Sequence, residues 1–268
     1  MARKRRIPRI TGLTINRLIP NVLTLLALCA GLTAIRFAIH GQFQQSVIAI
    51  LLAAILDGLD GRVARLLQGA TKFGAELDSL SDFVCFGVAP ALILYFWVMS
   101  LGGGIGWAIV MLYTVCCGLR LARFNTMMGA DDLPPYAYNF FTGVPAPAAA
   151  GLVLMPLIVS FEAGSGFVDR IPVVSIFLLG VSFLMVSKVP TFSAKKMRIP
   201  NTYVLPVLLF VGLLAAFLVT EPWITLAVID ALYLGLIPLA IRAFRRLKEQ
   251  AELQQANDGP VDTSVSST

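Results

Sequence analysis

Charge is what this chain has least of. Asp, Glu, Lys and Arg make up only 13% of its 268 residues, against about 25% in a soluble domain. With 57% hydrophobic residues and a mean hydropathy of +0.82, too little polar cover remains for the surface of a globular core, which excludes a soluble protein. Histidine is nearly missing. His40 stands alone beside an expected helix end, so neither a histidine metal site nor histidine catalysis can be assembled. The four cysteines, Cys29, Cys85, Cys116 and Cys117, lie in apolar stretches without metal-ligand spacing, and the adjacent pair cannot form an ordinary disulfide. They read as small apolar packing residues. Acids number 15, few enough that any concentration of them carries information.

Apolar runs fill the rest. Eight can be marked, at roughly 18–39, 43–65, 75–100, 105–125, 142–161, 171–188, 202–220 and 223–243, each long enough or nearly so for a bilayer. Only helices and closed barrels satisfy the backbone in lipid, and the two-residue alternation of barrel strands is absent. The expectation is therefore an all-α, polytopic transmembrane helical bundle of about eight spans. The basic segment 1–17 followed by an apolar run has the look of a signal peptide. The run 18–39 is too long for one and lacks a convincing cleavage site, so it is read as a retained first span. If the amino terminus is cytoplasmic and the spans alternate, 19 of the 21 Lys and Arg fall on the cytoplasmic side, Arg36 and Arg170 being the exceptions. That asymmetry favours an even number of spans with both termini inside. The organisation read from this is a basic juxtamembrane segment 1–17, a membrane domain 18–248 without internal repeats, and a polar tail 249–268 expected to be disordered.

Four of the scarce acids, Asp57, Asp60, Asp78 and Asp82, crowd into 26 residues at the cytoplasmic ends of the second and third spans. Ionisable groups at membrane depth are costly and need a compensating partner. Asp57, Asp60, Gly61, Ala64 and Arg65 fall at i, i+3, i+4, i+7 and i+8 of one helix face; Gly74, Asp78 and Asp82 fall at i, i+4 and i+8 of another. The short segment Leu66–Phe73, with Gly69, can turn the chain so that the two faces meet. Carboxylates at such range cannot all stay ionised without cations. All-oxygen donors favour Mg²⁺, Mn²⁺ or Ca²⁺, and two divalent ions are the usual clamp for a phosphoryl group in displacement. Gly61 and Ala64 leave room for a flat or phosphate-bearing ligand, and Arg65 suits phosphate oxygens or an aspartate. The other readings are a proton relay or a cation path. Asp230, alone in the eighth stretch, fits such a relay or a packing role.

The spacing Asp57-x-x-Asp60-Gly61-x-x-Ala64-Arg65, eight residues, then Gly74-x-x-x-Asp78-x-x-x-Asp82 resembles the full signature of the CDP-alcohol phosphotransferase family, with no position departing. Pro20-Asn21-x-x-Thr24 resembles that family's first-helix pattern. The resemblance implies an integral membrane enzyme in which an alcohol attacks the diphosphate of a CDP-linked lipid and CMP leaves. It implies Asp57, Asp60 and Asp78 as ligands of Mg²⁺ or Mn²⁺, and Asp82 as general base and further ligand. Asn21, Thr24, Gly61, Ala64, Arg65 and Gly74 would contact the CDP-lipid. It further implies a homodimer and a bacterial inner membrane. Gly118–Asn125 and Phe141–Ala150 resemble the serine-using members of the family, so CDP-diacylglycerol and L-serine are the expected substrates. Arg120, Arg123 and Asn125 are acceptor-binding candidates, or the arginines are ordinary positive-inside anchors. The alternatives are another acceptor (glycerol 3-phosphate, inositol or its phosphate, choline), for which Lys195, Lys196 and Arg198 offer a basic pocket, and a cation transporter. Deep charged residues other than Asp230 are missing for the latter.

Overall fold

The computed structural model describes residues 15–67, 71–127, 140–164, 166, 168–187, 189–192 and 203–257. The amino-terminal basic residues before 15, the Gly69 turn, Lys195, Lys196, Arg198 and the last residues of the tail lie outside them. The chain packs as two compact units, Met1–Trp97 and Val98–Thr268.

In the first unit, α1 (Ile15–Ile39) and α2 (Phe43–Leu66) form a tight hairpin. Gly41 takes a positive φ of 71° at the reversal, where the Gln42 N–H donates to the Phe37 carbonyl at 2.9 Å. That left-handed residue just past a helix end is what glycine supplies at low cost. Small residues set the closeness of the pair: Ala27, Ala34 and Ala38 on α1 and Ala49 and Ala53 on α2 are all at most 7% exposed, as expected where helices associate in lipid by backbone approach. Ser46 Oγ adds a hydrogen bond to the Ala34 carbonyl at 3.0 Å. Next, α3 (Lys72–Asp82), a π-helical turn (Phe83–Val88) and α4 (Ala89–Trp97) make one rod. The rod packs on α1, on which the unit is built.

The second unit holds a 3₁₀ turn (Met99–Gly102), α5 (Gly103–Met127), β1 (Phe140–Thr142), α6 (Ala146–Ala163), α7 (Ile171–Val186), β2 (Pro190–Phe192), α8 (Val204–Thr220) and α9 (Pro222–Asn257). Its core is α6, with Ala146, Ala149, Leu152, Val153, Leu154 and Leu157 at 1% exposure or less, packed between α7 and α9. No residue of α8 is buried, although it carries Leu205, Leu208, Leu209 and Phe217 on its surface. An apolar helix that packs only along one side, here on α9, and leaves its other faces exposed suits a lipid-facing position.

The helical rods coincide with the eight apolar stretches. Five segments, Leu18–Ile39, Lys72–Trp97, Met99–Thr126, Ala146–Ala163 and Pro222–Ala243, are long and apolar enough to cross a membrane, and α7 and α8 are shorter apolar helices. The chain is an all-α polytopic membrane protein. Two details differ from the sequence reading. Residues 140–142 and 190–192 pair as a short antiparallel ribbon, Phe141 opposite Thr191, because Pro145 holds the chain extended (φ −60°, ψ 149°) and delays α6 to Ala146. Gly143 sits beside the ribbon at φ 81°, where a Cβ would meet the Met185 carbonyl oxygen at 2.6 Å. Second, α9 continues to Asn257, past the 248 boundary set by loss of hydropathy. Residues 249–256 are Glu, Gln, Ala and Leu, which are good helix formers whatever their polarity.

Candidate active site

The acids meet in the first unit. Asp57 and Asp60 stand on the last turns of α2, Asp78 and Asp82 on the last turns of α3. Carboxylate oxygens of Asp57, Asp60 and Asp78 lie within 4.8 Å of one another. Asp82 lies close against Asp57, so the two carboxyls need a proton or a cation between them. Asp60 is only 4% exposed. Thr24 Oγ1 on α1 donates to its Oδ2 at 2.6 Å and so fixes which oxygen faces the cluster. Ser81 Oγ donates to the Thr24 carbonyl at 3.3 Å, tying α3 to the same turn of α1.

Beside the acids lies a cavity of about 210 Å³, walled by Pro20, Asn21 and Thr24 of α1, Asp60, Gly61, Ala64 and Arg65 of α2, and Thr71, Gly74, Ala75 and Asp78. Thr71 caps α3, its Oγ1 accepting from the Gly74 N–H at 2.9 Å. Gly74 has a packing reason too: a Cβ there would stand 2.8 Å from Asn21 Oδ1 and 3.1 Å from Thr71 Oγ1. Gly61 meets nothing within 4 Å and leaves that wall open. Arg65 Nε donates to the Gly61 carbonyl at 3.0 Å, along its own helix at the rim.

The donor set fits a hard divalent cation. It is all carboxylate oxygen, its members are too close to be ionised together unaided, and neither thiol nor imidazole belongs to it.

Every residue expected at the CDP-lipid site lines this cavity, and the four aspartates gather beside it. The acceptor candidates lie in the second unit, at the end of α5. Arg120 lies over the Phe124 ring at 5.8 Å, Arg123 Nη1 donates to the Val186 carbonyl at 3.3 Å, and Asn125 is exposed. Asp230 on α9 abuts Gly151 of α6, where a Cβ would come within 2.7 Å of its Oδ1. Sequence reasoning missed Thr71 and Ala75 in the wall and the supporting Ser81. The Thr-x-x-Gly start of α3 was the one signal that could have exposed the cap.

The family profile described as CDP-alcohol phosphatidyltransferase matches residues 17–187, and that of CDP-alcohol phosphatidyltransferase 2 matches residues 202–238. The CDP-diacylglycerol–serine O-phosphatidyltransferase of Mycobacterium bovis is 40% identical over 237 residues, covering 88% of this chain and 82% of that protein. The Helicobacter pylori (strain ATCC 700392 / 26695) protein of the same name is 38% identical over 219 residues, 81% of this chain and 88% of its own. The archaetidylserine synthase of Methanothermobacter thermautotrophicus is 34% identical over 173 residues, 64% of this chain and 68% of its own.

Proposed function

This chain belongs to the CDP-alcohol phosphatidyltransferase family, and on that premise we propose that it transfers the phosphatidyl group of CDP-diacylglycerol to the hydroxyl of L-serine, with release of CMP. The observation that carries the chemistry is the meeting of three carboxylates within 4.8 Å, with Asp82 against Asp57, beside a cavity of small-residue walls. Serine as acceptor rests on the relatives that carry that activity in their names.

Asp57, Asp60 and Asp78, with Asp82 as a further ligand, would hold two divalent cations, Mg²⁺ or Mn²⁺, whose contribution is to neutralise the diphosphate. Gly61 and Ala64 admit the flat cytosine, while Asn21, Thr24 and Gly74 shape the opposite wall. Arg65 at the rim attracts phosphate. Asp82 takes the proton of the serine hydroxyl. The serine oxygen forms a bond to the phosphorus bearing diacylglycerol as the bond from that phosphorus to the CMP oxygen breaks. Asp82 then returns its proton to solvent. Alignment supplies most of the assistance. Arg120, Arg123 and Asn125 are candidates for the serine carboxylate by chemistry, a guanidinium fork matching a carboxylate. The proposal includes a homodimer in the bacterial inner membrane with the site facing the cytoplasm, the latter from the loop charges.

Replacement tests the roles. Asp60→Asn and Asp78→Asn are expected to lower CMP release at least about 100-fold, as loss of a group acting in the transition state does. Asp82→Asn is expected to abolish turnover while the protein still binds the CDP moiety. Turnover at the parental rate in all three variants would remove the cluster from the reaction.

A further inference from the structure

Directly after Asp82 the rod ceases to be α-helical. Phe83–Val88 is a π-turn, closed by the Ala89 N–H bonding back five residues to the Val84 carbonyl. Pro90 explains why it is there. In a continuous α-helix residue 90 would donate to the Phe86 carbonyl; proline has no N–H, and its ring would strike that carbonyl. A wider turn relieves the clash. Each π-turn inserts one residue and so rotates the downstream helix by about 100°.

The consequence falls on Asp82. At α-helical steps of four, Asp78, Asp82, Phe86, Pro90 and Leu94 would share one row. Phe86 and Leu94 are at most 1% exposed in the apolar core. The inserted residue breaks the row, so the acids can turn toward α2 while the rest of the rod keeps its apolar seam inside. The turn is also clamped. Cys85 Sγ donates to the Ala27 carbonyl of α1 at 3.3 Å, and its seat is Gly31, buried on α1, where a Cβ would stand 2.6 Å from Cys85 Sγ and 3.1 Å from its Cα. With Ser81 held to the Thr24 carbonyl, α1 grips the rod on both sides of Asp82.

We propose that Pro90 and Gly31 are positioning residues for Asp82: the proline forces the π-turn, the glycine seats it on α1, and together they set the angle at which the Asp82 carboxyl meets Asp57. This rests on the role given to Asp82 under Proposed function.

The test compares Pro90→Ala, Gly31→Ala, Gly31→Ala with Cys85→Ala, and Asp82→Asn in the full-length protein, by kcat and KM for CMP release and by Tm. Alanine permits the α-helical bond that proline forbids. Pro90→Ala is therefore expected to fold with an equal or higher Tm, a KM for CDP-diacylglycerol within about twofold, and a kcat lowered about 10- to 100-fold, the scale of an ångström's misplacement. Gly31→Ala is expected to lower kcat similarly, and removing the Cys85 thiol, which relieves the 2.6 Å contact but not the 3.1 Å one to Cα, is expected to restore part of it. A more stable but slower enzyme is not what a packing role gives. Unchanged kcat in Pro90→Ala and Gly31→Ala, with Asp82→Asn inactive, would overturn the positioning role alone. So would joint failure of kcat, KM and Tm in both. Activity in Asp82→Asn would overturn the role of Asp82 and this inference with it.

Discussion

Asp60 is almost completely enclosed, and its orientation depends on the Thr24 hydroxyl at 2.6 Å. Partners behind a ligand commonly change metal affinity 10- to 100-fold. Thr24→Val, which keeps the shape and removes the donor, is therefore expected to raise the Mn²⁺ concentration for half-maximal CMP release about tenfold, with little change at saturating metal. An unchanged metal titration would show that Asp60 needs no such support. At this scale the four aspartates were legible in the sequence, because acids are rare here and spacings of three and four put each pair on one helix face. Their supports were not. Ser81, Cys85 and Thr71 are small polar residues that read as helix packing until a partner 57 or 58 residues away, or a backbone N–H at a helix start, is known.

The site is carried by the ends of three helices, and one of those ends has an identifiable brace. The Thr71 cap is worth about 1 kcal/mol. Thr71→Ala is expected to lower Tm measurably while Thr71→Ser keeps it, as differential scanning fluorimetry in detergent would report; equal Tm in both would dismiss the cap. Helix positions were largely legible from hydropathy, since each apolar stretch is one rod. The π-turn was not, because Pro90 within an apolar run signals an irregularity without saying which kind. Nor was the ribbon of β1 and β2, whose three-residue strands are too short for alternation to register. The extension of α9 to Asn257 escaped because hydropathy reports partition into lipid, not helix formation. It bears no part of the site, so a chain ending at Lys248 is expected to keep kcat within about twofold; a larger loss would give the tail a role that the mechanism does not contain.

As a whole the molecule is a scaffold for lipid chemistry in lipid. Its apolar helices expose leucine and phenylalanine outward, as a bilayer solvent allows, and three clustered aspartates stand by a cavity in the first unit. On the proposed topology, the distribution of Lys and Arg would put the acid-bearing helix ends on the cytoplasmic side. Reporter fusions after residue 248 and within 164–170 are expected to read cytoplasmic and periplasmic respectively; the reverse pattern would move the site to the other face. The charge asymmetry and the acid spacing are both legible in the amino-acid order alone. The division into two compact units is not, because it depends on which helices pack together and hydropathy treats every apolar helix alike.

Every role given to the site depends on transfer of a phosphatidyl group to serine at an aspartate-held metal centre. Incorporation of labelled L-serine into lipid by the purified protein, with CDP-diacylglycerol and Mn²⁺ or Mg²⁺, measures that transfer directly, with glycerol 3-phosphate, inositol and choline compared in parallel. Labelled phosphatidylserine and CMP are expected in equal amounts, with loss of both on chelation and no comparable product from the other alcohols. CMP release driven by another alcohol but not by serine, or serine transfer indifferent to chelation, would contradict it.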